Sequence, residues 1–353
     1  MIDQETIKEV FAIADQRRAE RRRFIKMAGA AAVATGALST LAACDAGDDD
    51  TYTNPPVSST PTPTPTTGSV DVDVLNFALN LEYLEANYYT YSALGSGISS
   101  NFQSGTGQQG TVTGGRQVAF ADATVASYAR EIAADENAHV QFLRAQLGTA
   151  AVAMPAINID GGTTGAFTAA ARAAGVVGPT GTFDPYANDD NWLLGGMLLS
   201  DVGVTAYKGS ATLIANKTFL EAAAGILAVE AYHTGLIRTL LYSRGVQMPT
   251  IATAANDRAY SELISNARDT VDGTTTSAGP PQIYNDDDQG VNPVTIRGGT
   301  ASNIVPTDTN GIVFGRTAAN VLNVVYLNKA AVSSGGFFPS GLNGNIKTSN
   351  NNA

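Results

Sequence analysis

The chain of 353 residues contains two histidines, His139 and His233, and each has a glutamate three positions before it, Glu136 and Glu230. On a helix, residues at i and i+3 share one face. A carboxylate and an imidazole at that spacing can therefore reach the same ion. The likeness runs further: Glu136-x-x-His139-x4-Arg144-x-x-Leu147 and Glu230-x-x-His233-x4-Arg238-x-x-Leu241 are one pattern written twice. Such a repeat marks a duplicated helical unit, met here at the second helix of each copy. A chain built this way has to bring two ligand-bearing helices together inside a core.

The rest of the sequence supplies the helices for that core. Residues 70–94 lack Pro and Gly and are apolar nearly all round, the mark of a buried helix. Asp71 and Asp73 suit its first turn, where acidic groups meet the positive end of the helix dipole. Glu82 and Glu85 then fall inside a helix that is otherwise interior. Further helices are predicted over 122–147, stopped by Gly148, and over 190–215 and 218–244, the last stopped by Gly245 and Pro249. A Gly/Ser/Gln-rich loop follows the first helix, and an irregular stretch over 149–188 holds one short helix near 166–173. Two helix pairs joined by a long crossover make an all-α, up-down four-helix bundle of the ferritin-like kind. The bundle is expected over 70–245. A loop-rich extension over 246–353 follows, with a helix near 317–329 packing on the bundle and a weaker helical stretch at 258–268.

The first helix of each pair should contribute a further acid. Glu82 stands six residues before Tyr88, and Asp201 six before Tyr207. With these, the expected ligand set is Glu82, Glu136, His139, Asp201, Glu230 and His233, which suits two Fe or Mn ions. Asp201 departs from the usual glutamate and is one methylene shorter, so it would reach less far, through a water. Glu85 is read as a neighbour of the ligands or a salt-bridge partner, and Arg144 and Arg238 as ion-pair residues near the helix ends. Tyr88, Tyr89, Tyr91 and Tyr207 are read as core residues. The competing reading is a set of hydrogen-bonded Glu/His contacts that hold the helices in register without metal. No catalytic residue is assigned.

Residues 1–44 read as an address. Arg21, Arg22, Arg23 and Lys26 precede an uncharged run of small and apolar residues that closes on Leu41-Ala42-Ala43-Cys44. This is the layout of a secretory signal, and the run is too short and glycine-rich for a comfortable membrane span. Arg21-Arg22-x-Phe24-Ile25-Lys26 resembles the twin-arginine signal that exports folded proteins. Leu41-Ala42-Ala43-Cys44 resembles the bacterial lipobox, in which the cysteine receives lipid. The alternative is an amphipathic cytoplasmic helix and a buried thiol. Cys44 is the only cysteine, which leaves no intramolecular disulfide. Residues 45–69, rich in Pro and Thr, make an extended tether. The expected localisation is the bacterial periplasm or cell envelope, with the membrane as a partner through Cys44.

The formal net charge of -11 argues against nucleic acid, whose phosphates require a cationic face.

The segments LEYLEANYYTYSAL, ADENAHVQFLRAQLG and VEAYHTGLIRTLL resemble the metal-bearing helices of ferritin and rubrerythrin relatives. A closer resemblance is to ferritin-like proteins grouped with plant desiccation-related proteins. That group shares Arg316-Thr317, the apolar segment 321–326 and the GFFPSGLNG run of residues 336–344. The resemblance spans about residues 70–346. It implies a ferritin-like bundle and is silent on activity; the ligand set itself suits stress protection or metal handling, with dioxygen activation or peroxide dismutation as the chemistry. The alternative is a non-enzymatic protective protein of the envelope. The tether and long crossover oppose a 24-subunit cage and leave a smaller homo-oligomer open.

Overall fold

The computed structural model describes residues 69–247, 257–273, 288–296 and 298–353. The signal-like segment, Cys44 and nearly all of the tether lie outside them.

Four long helices form the core, as expected: α1 (Val70–Leu94), α2 (Ala123–Leu147), α4 (Asp189–Ser210) and α5 (Lys217–Gln247). Three short ones complete the set among the described residues: α3 (Ala166–Ala174), α6 (Asp257–Asp272) and α7 (Ala318–Val325). Helix α1 packs mainly on α2, and α4 on α5. The start of α1 is fixed by Ser69, whose hydroxyl accepts from the Val72 N–H at 3.2 Å. Its end is fixed by Gly95 at φ 79°, a left-handed position that glycine occupies without a Cβ penalty. Helix α4 ends at Ser210, five residues short of the sequence expectation, and a 3-10 turn over Ala211–Leu213 leads into α5.

The loop after α1 and the crossover hold each other. Strand β1 (Val112–Gly114) pairs in parallel with β2 (Ile157–Ile159), Val112 opposite Ile157. A small hairpin, β3 (Val294–Ile296) and β4 (Gly299–Ala301), lies in the extension. The sequence did not announce either sheet, because three-residue strands carry too little alternation to register.

The tail is part of the core. Phe337 and Phe338 are fully buried, and the Phe337 ring meets Phe167 of α3 edge-on at 5.0 Å. Asn343 donates its backbone N–H to the Asn80 side chain and accepts from it in return, at 3.1 and 2.9 Å, which fastens the tail to α1. No described helix is long and apolar enough to cross a membrane.

Candidate metal centre

Four side chains meet where α1, α2 and α5 face one another. One ligand atom from each of Glu82, Glu136, His139 and Glu230 lies within 4.8 Å of all the others, and all four residues are buried. His139 Nδ1 stands 3.2 Å from Glu82 Oε2 and 3.8 Å from both Glu136 Oε2 and Glu230 Oε1. His233 approaches Glu136 from the other side, with Nδ1 at 3.1 Å from Oε1. Glu136 thus lies between the two imidazoles. The second nitrogen of His233 meets Asp135 Oδ2 at 3.0 Å, and Asp135 is half exposed.

The protonation pattern follows from burial and charge. Burial alone would lower the pKa of His139, but the Glu82 and Glu136 carboxylates outweigh it and raise the imidazole to about 11. His233 is raised against burial to about 9 by its bonds to Asp135 and Glu136. Burial would lift Glu136, yet hydrogen bonds from both histidines bring it down to about 2. Glu230 and Glu85 are pushed well above the carboxylate range, by burial first and then by their acidic neighbours. Glu82 is raised by burial and by Glu136, with His139 opposing.

A cation fits this cluster. Glu136 Oε2 and both carboxylate oxygens of Glu230 are buried without any hydrogen-bond partner. Unsatisfied buried carboxylate oxygens are costly unless something positive meets them. The donors are carboxylates and imidazoles, which suit Fe or Mn. Four glutamates, counting Glu85, with two neutral imidazoles would balance two divalent ions.

Asp201 does not join the cluster. Its Oδ2 accepts from Arg238 at 2.9 Å and from Arg268 at 3.0 Å. The reason is helical geometry. The interior seam of α4 is Gly196, Ser200, Gly203 and Tyr207: Gly196 lies under the Tyr89 hydroxyl, Ser200 bonds Tyr89 and Glu85, Gly203 backs onto Glu230 and Glu85, and Tyr207 donates to Glu82. At about 100° per residue, Asp201 is turned roughly 200° from Gly203 and faces the extension instead. The match between Glu82–Tyr88 and Asp201–Tyr207 is a coincidence of spacing that ignores this phase.

Arg238 likewise belongs to the extension. It bonds Asp201 and the carbonyls of Gln289, Gly290, Asn303 and Ile304 at 2.7 to 2.8 Å. Arg144 donates to the Tyr83 hydroxyl, so it supports α1 and makes no ion pair there. Glu85 is buried beside the cluster, its Oε2 accepting from Ser200 at 3.1 Å. Tyr88 and Tyr89 are core residues, whereas Tyr207 also touches the site. Asp135 and Tyr207 were missed as site residues. Asp135 could have been found as the acid immediately before Glu136, on the face toward the opposite histidine.

Comparison with known proteins agrees with this geometry. Residues 70–243 match the ferritin-like domain family model, a span that holds the first three long helices, most of α5 and the cluster. The chain is 27% identical over 278 residues to the ferritin-like catalase Nec2 of Nesocodon mauritianus, covering 78% of this chain and 84% of that protein. It is 32% identical over 174 residues to the desiccation-related protein PCC13-62 of Craterostigma plantagineum, covering 49% of this chain and 54% of that protein. No solved structure matches the chain significantly.

Proposed function

We propose that this chain is an exported peroxide-dismutating protein that holds two Fe or Mn ions in its bundle and serves in oxidative or desiccation stress. The observation that carries the reading is the set of partnerless, buried oxygens on Glu136 and Glu230 facing His139 and Glu82. A bundle that served only to pack would not leave three carboxylate oxygens unsatisfied. The similarity to a protein named a ferritin-like catalase supports peroxide as the substrate.

In this reading Glu82, Glu136, His139, Glu230 and His233 would hold the ions, which would supply the redox change. One peroxide is reduced to water while a second is oxidised to dioxygen, so no outside reductant is consumed. The chain's own residues set the conditions. Glu136 is positioned between the two imidazoles by its bond to His233. Tyr207 donates to Glu82 Oε1 and fixes that carboxylate. Asp135 holds the Nε2 proton of His233, which leaves Nδ1 turned inward for a metal. The apolar residues around α1 keep bulk water from the centre.

A second reading has support from Asp201. With that acid committed to two arginines, α4 brings no carboxylate to the cluster, as a metal-free protective bundle would allow. The full chain, purified and loaded with Mn(II) or Fe(II), separates the two. Peroxide consumption should release one dioxygen for every two peroxides, and Glu136→Gln should abolish it with the fold intact by circular dichroism. A loaded wild type with no dioxygen release above free metal would rule out the enzymatic reading.

A further inference from the structure

At Gly203, helix α4 comes close to two carboxylates. A Cβ placed on Gly203 would lie 2.9 Å from Glu230 Oε2 and 3.0 Å from Glu85 Oε1. A side-chain carbon at that distance would make the two carboxylates shift. The two oxygens converge on it from α5 and α1. Glu85 stands one turn after Glu82 on α1 and is 5% exposed. Ser200 holds its Oε2, which leaves Oε1 directed at Gly203 and Glu230. On the opposite side, Glu136 Oε1 and His233 Nδ1 are already paired at 3.1 Å. A small cavity of about 10 Å³ lies against Glu85 and Gly203, walled by Leu84, Leu199, Val325 and Phe337.

We infer that Glu85 is a metal ligand: with Glu230, Glu136 and His233 it forms the second ion position, where α4 offers only Gly203. It takes the part for which the bundle plan requires an acid from α4. Three helices then bear every protein ligand, two glutamates coming from α1 and none from α4. At the first position, built from Glu82, Glu136, His139 and Glu230, α4 contributes the Tyr207 hydroxyl, which donates to Glu82. This inference rests on the metal reading above and adds to it which residues make the second position.

The test is metal content and electronic coupling rather than turnover. The full chain, stripped and then dialysed against Mn(II), should retain about two ions per chain and show the exchange-coupled EPR signal of a Mn(II) pair. Glu85→Gln should retain about one ion and show an isolated Mn(II) signal, because the first position is untouched. Gly203→Ala should do the same. Alanine ordinarily favours a helix over glycine, so loss of an ion there would not come from unfolding, and an unchanged melting temperature of the metal-free protein checks this. Asp201→Asn should keep both ions while melting at a lower temperature. Two coupled ions in Glu85→Gln overturn the inference and leave the proposed function standing, whereas a wild type that takes up one ion overturns the two-ion reading on which the inference rests. A wild type that takes up none overturns both.

Discussion

Asp135 and Glu136 are neighbours on α2, and together they grip both nitrogens of one imidazole, His233, at 3.0 and 3.1 Å. Residue 229, the matching position before Glu230, is valine. His139 therefore lacks the carboxylate that orients its counterpart, and the two halves of the duplicated pattern are unequal around the histidines. Orientation of a ligating histidine through its other nitrogen typically changes metal affinity by about 10- to 100-fold. Asp135→Ala should weaken binding at the His233 position by that order and leave the His139 position nearly unchanged. Alanine is a good helix former on a partly exposed face, so the fold should survive. A competition titration with a chelator, resolving two affinities, gives the answer; equal weakening of both would contradict the asymmetry.

The metal-free protein should depend on pH in a direction opposite to ordinary acid unfolding. Its histidines have folded pKa values above the unfolded value near 6.5, raised to about 11 for His139 and about 9 for His233. A raised pKa stabilises the fold fully below the unfolded value and is lost as pH climbs through the folded one. The melting temperature of the stripped protein should therefore fall from about pH 6.5 upward, through about pH 9 for His233 and further for His139. A metal at Nδ1 replaces one of those protons, so the loaded protein should show a much flatter profile. Binding should also release protons, which a weakly buffered titration with a pH indicator will record. Parallel profiles for stripped and loaded protein would show that the histidines do not meet the metal.

The extension is tied to the bundle by buried charge. Arg238, Arg268 and Arg316 are each essentially inaccessible, and they bond Asp201, Asp272 and Asp288. Three arginines and three aspartates leave no net charge, and backbone carbonyls of residues 289, 290, 303 and 304 take up further donors of Arg238. Removing one partner from a buried ionic group commonly costs about 3–5 kcal/mol, because the others are left uncompensated. Arg238→Met should lower the melting temperature accordingly and expose residues 288–316 to limited proteolysis, with metal content unchanged. Loss of metal without a change in stability would instead place Arg238 in the site.

How far the sequence foretold these arrangements depends on range. The helices of the bundle were legible because each is long, and end signals such as Asp71 and Asp73 at the start of α1 and Gly148 after α2 act within one turn. The Glu-x-x-His pairs were legible because i and i+3 on one helix need no tertiary information. Asp201 was misplaced because its role depends on the rotation of α4 in the bundle. That rotation is set by contacts made elsewhere, such as the bond between Ser200 and Tyr89 at 2.7 Å. Gly203 gave no signal at all, since a glycine announces a missing side chain but not the oxygens that occupy the space. The arginine network was equally hidden: Arg316 reaches Thr205 across 111 positions of sequence, a contact no local pattern encodes.

We propose that the first 44 residues are an export address, and that reading makes a prediction of its own. Cys44 is the single cysteine and closes the only signal-like run, and a Pro/Thr-rich stretch separates it from the first residue of α1. If Cys44 carries lipid, the tether sets the folded domain off from a membrane surface. One acyl chain holds a protein only marginally, whereas several on one residue anchor it stably. In a bacterial host with twin-arginine export, the wild-type chain should therefore fractionate with membranes and partition into detergent. Cys44→Ala should appear in the soluble fraction with the same metal content, since the bundle begins well beyond the anchor. Arg21→Lys with Arg22→Lys should retain the protein in the cytoplasm, still folded and still loaded. Mass spectrometry of the membrane-bound form should find the lipid on Cys44 as the first residue. A soluble wild type with an unmodified thiol would show that this segment is not an anchor.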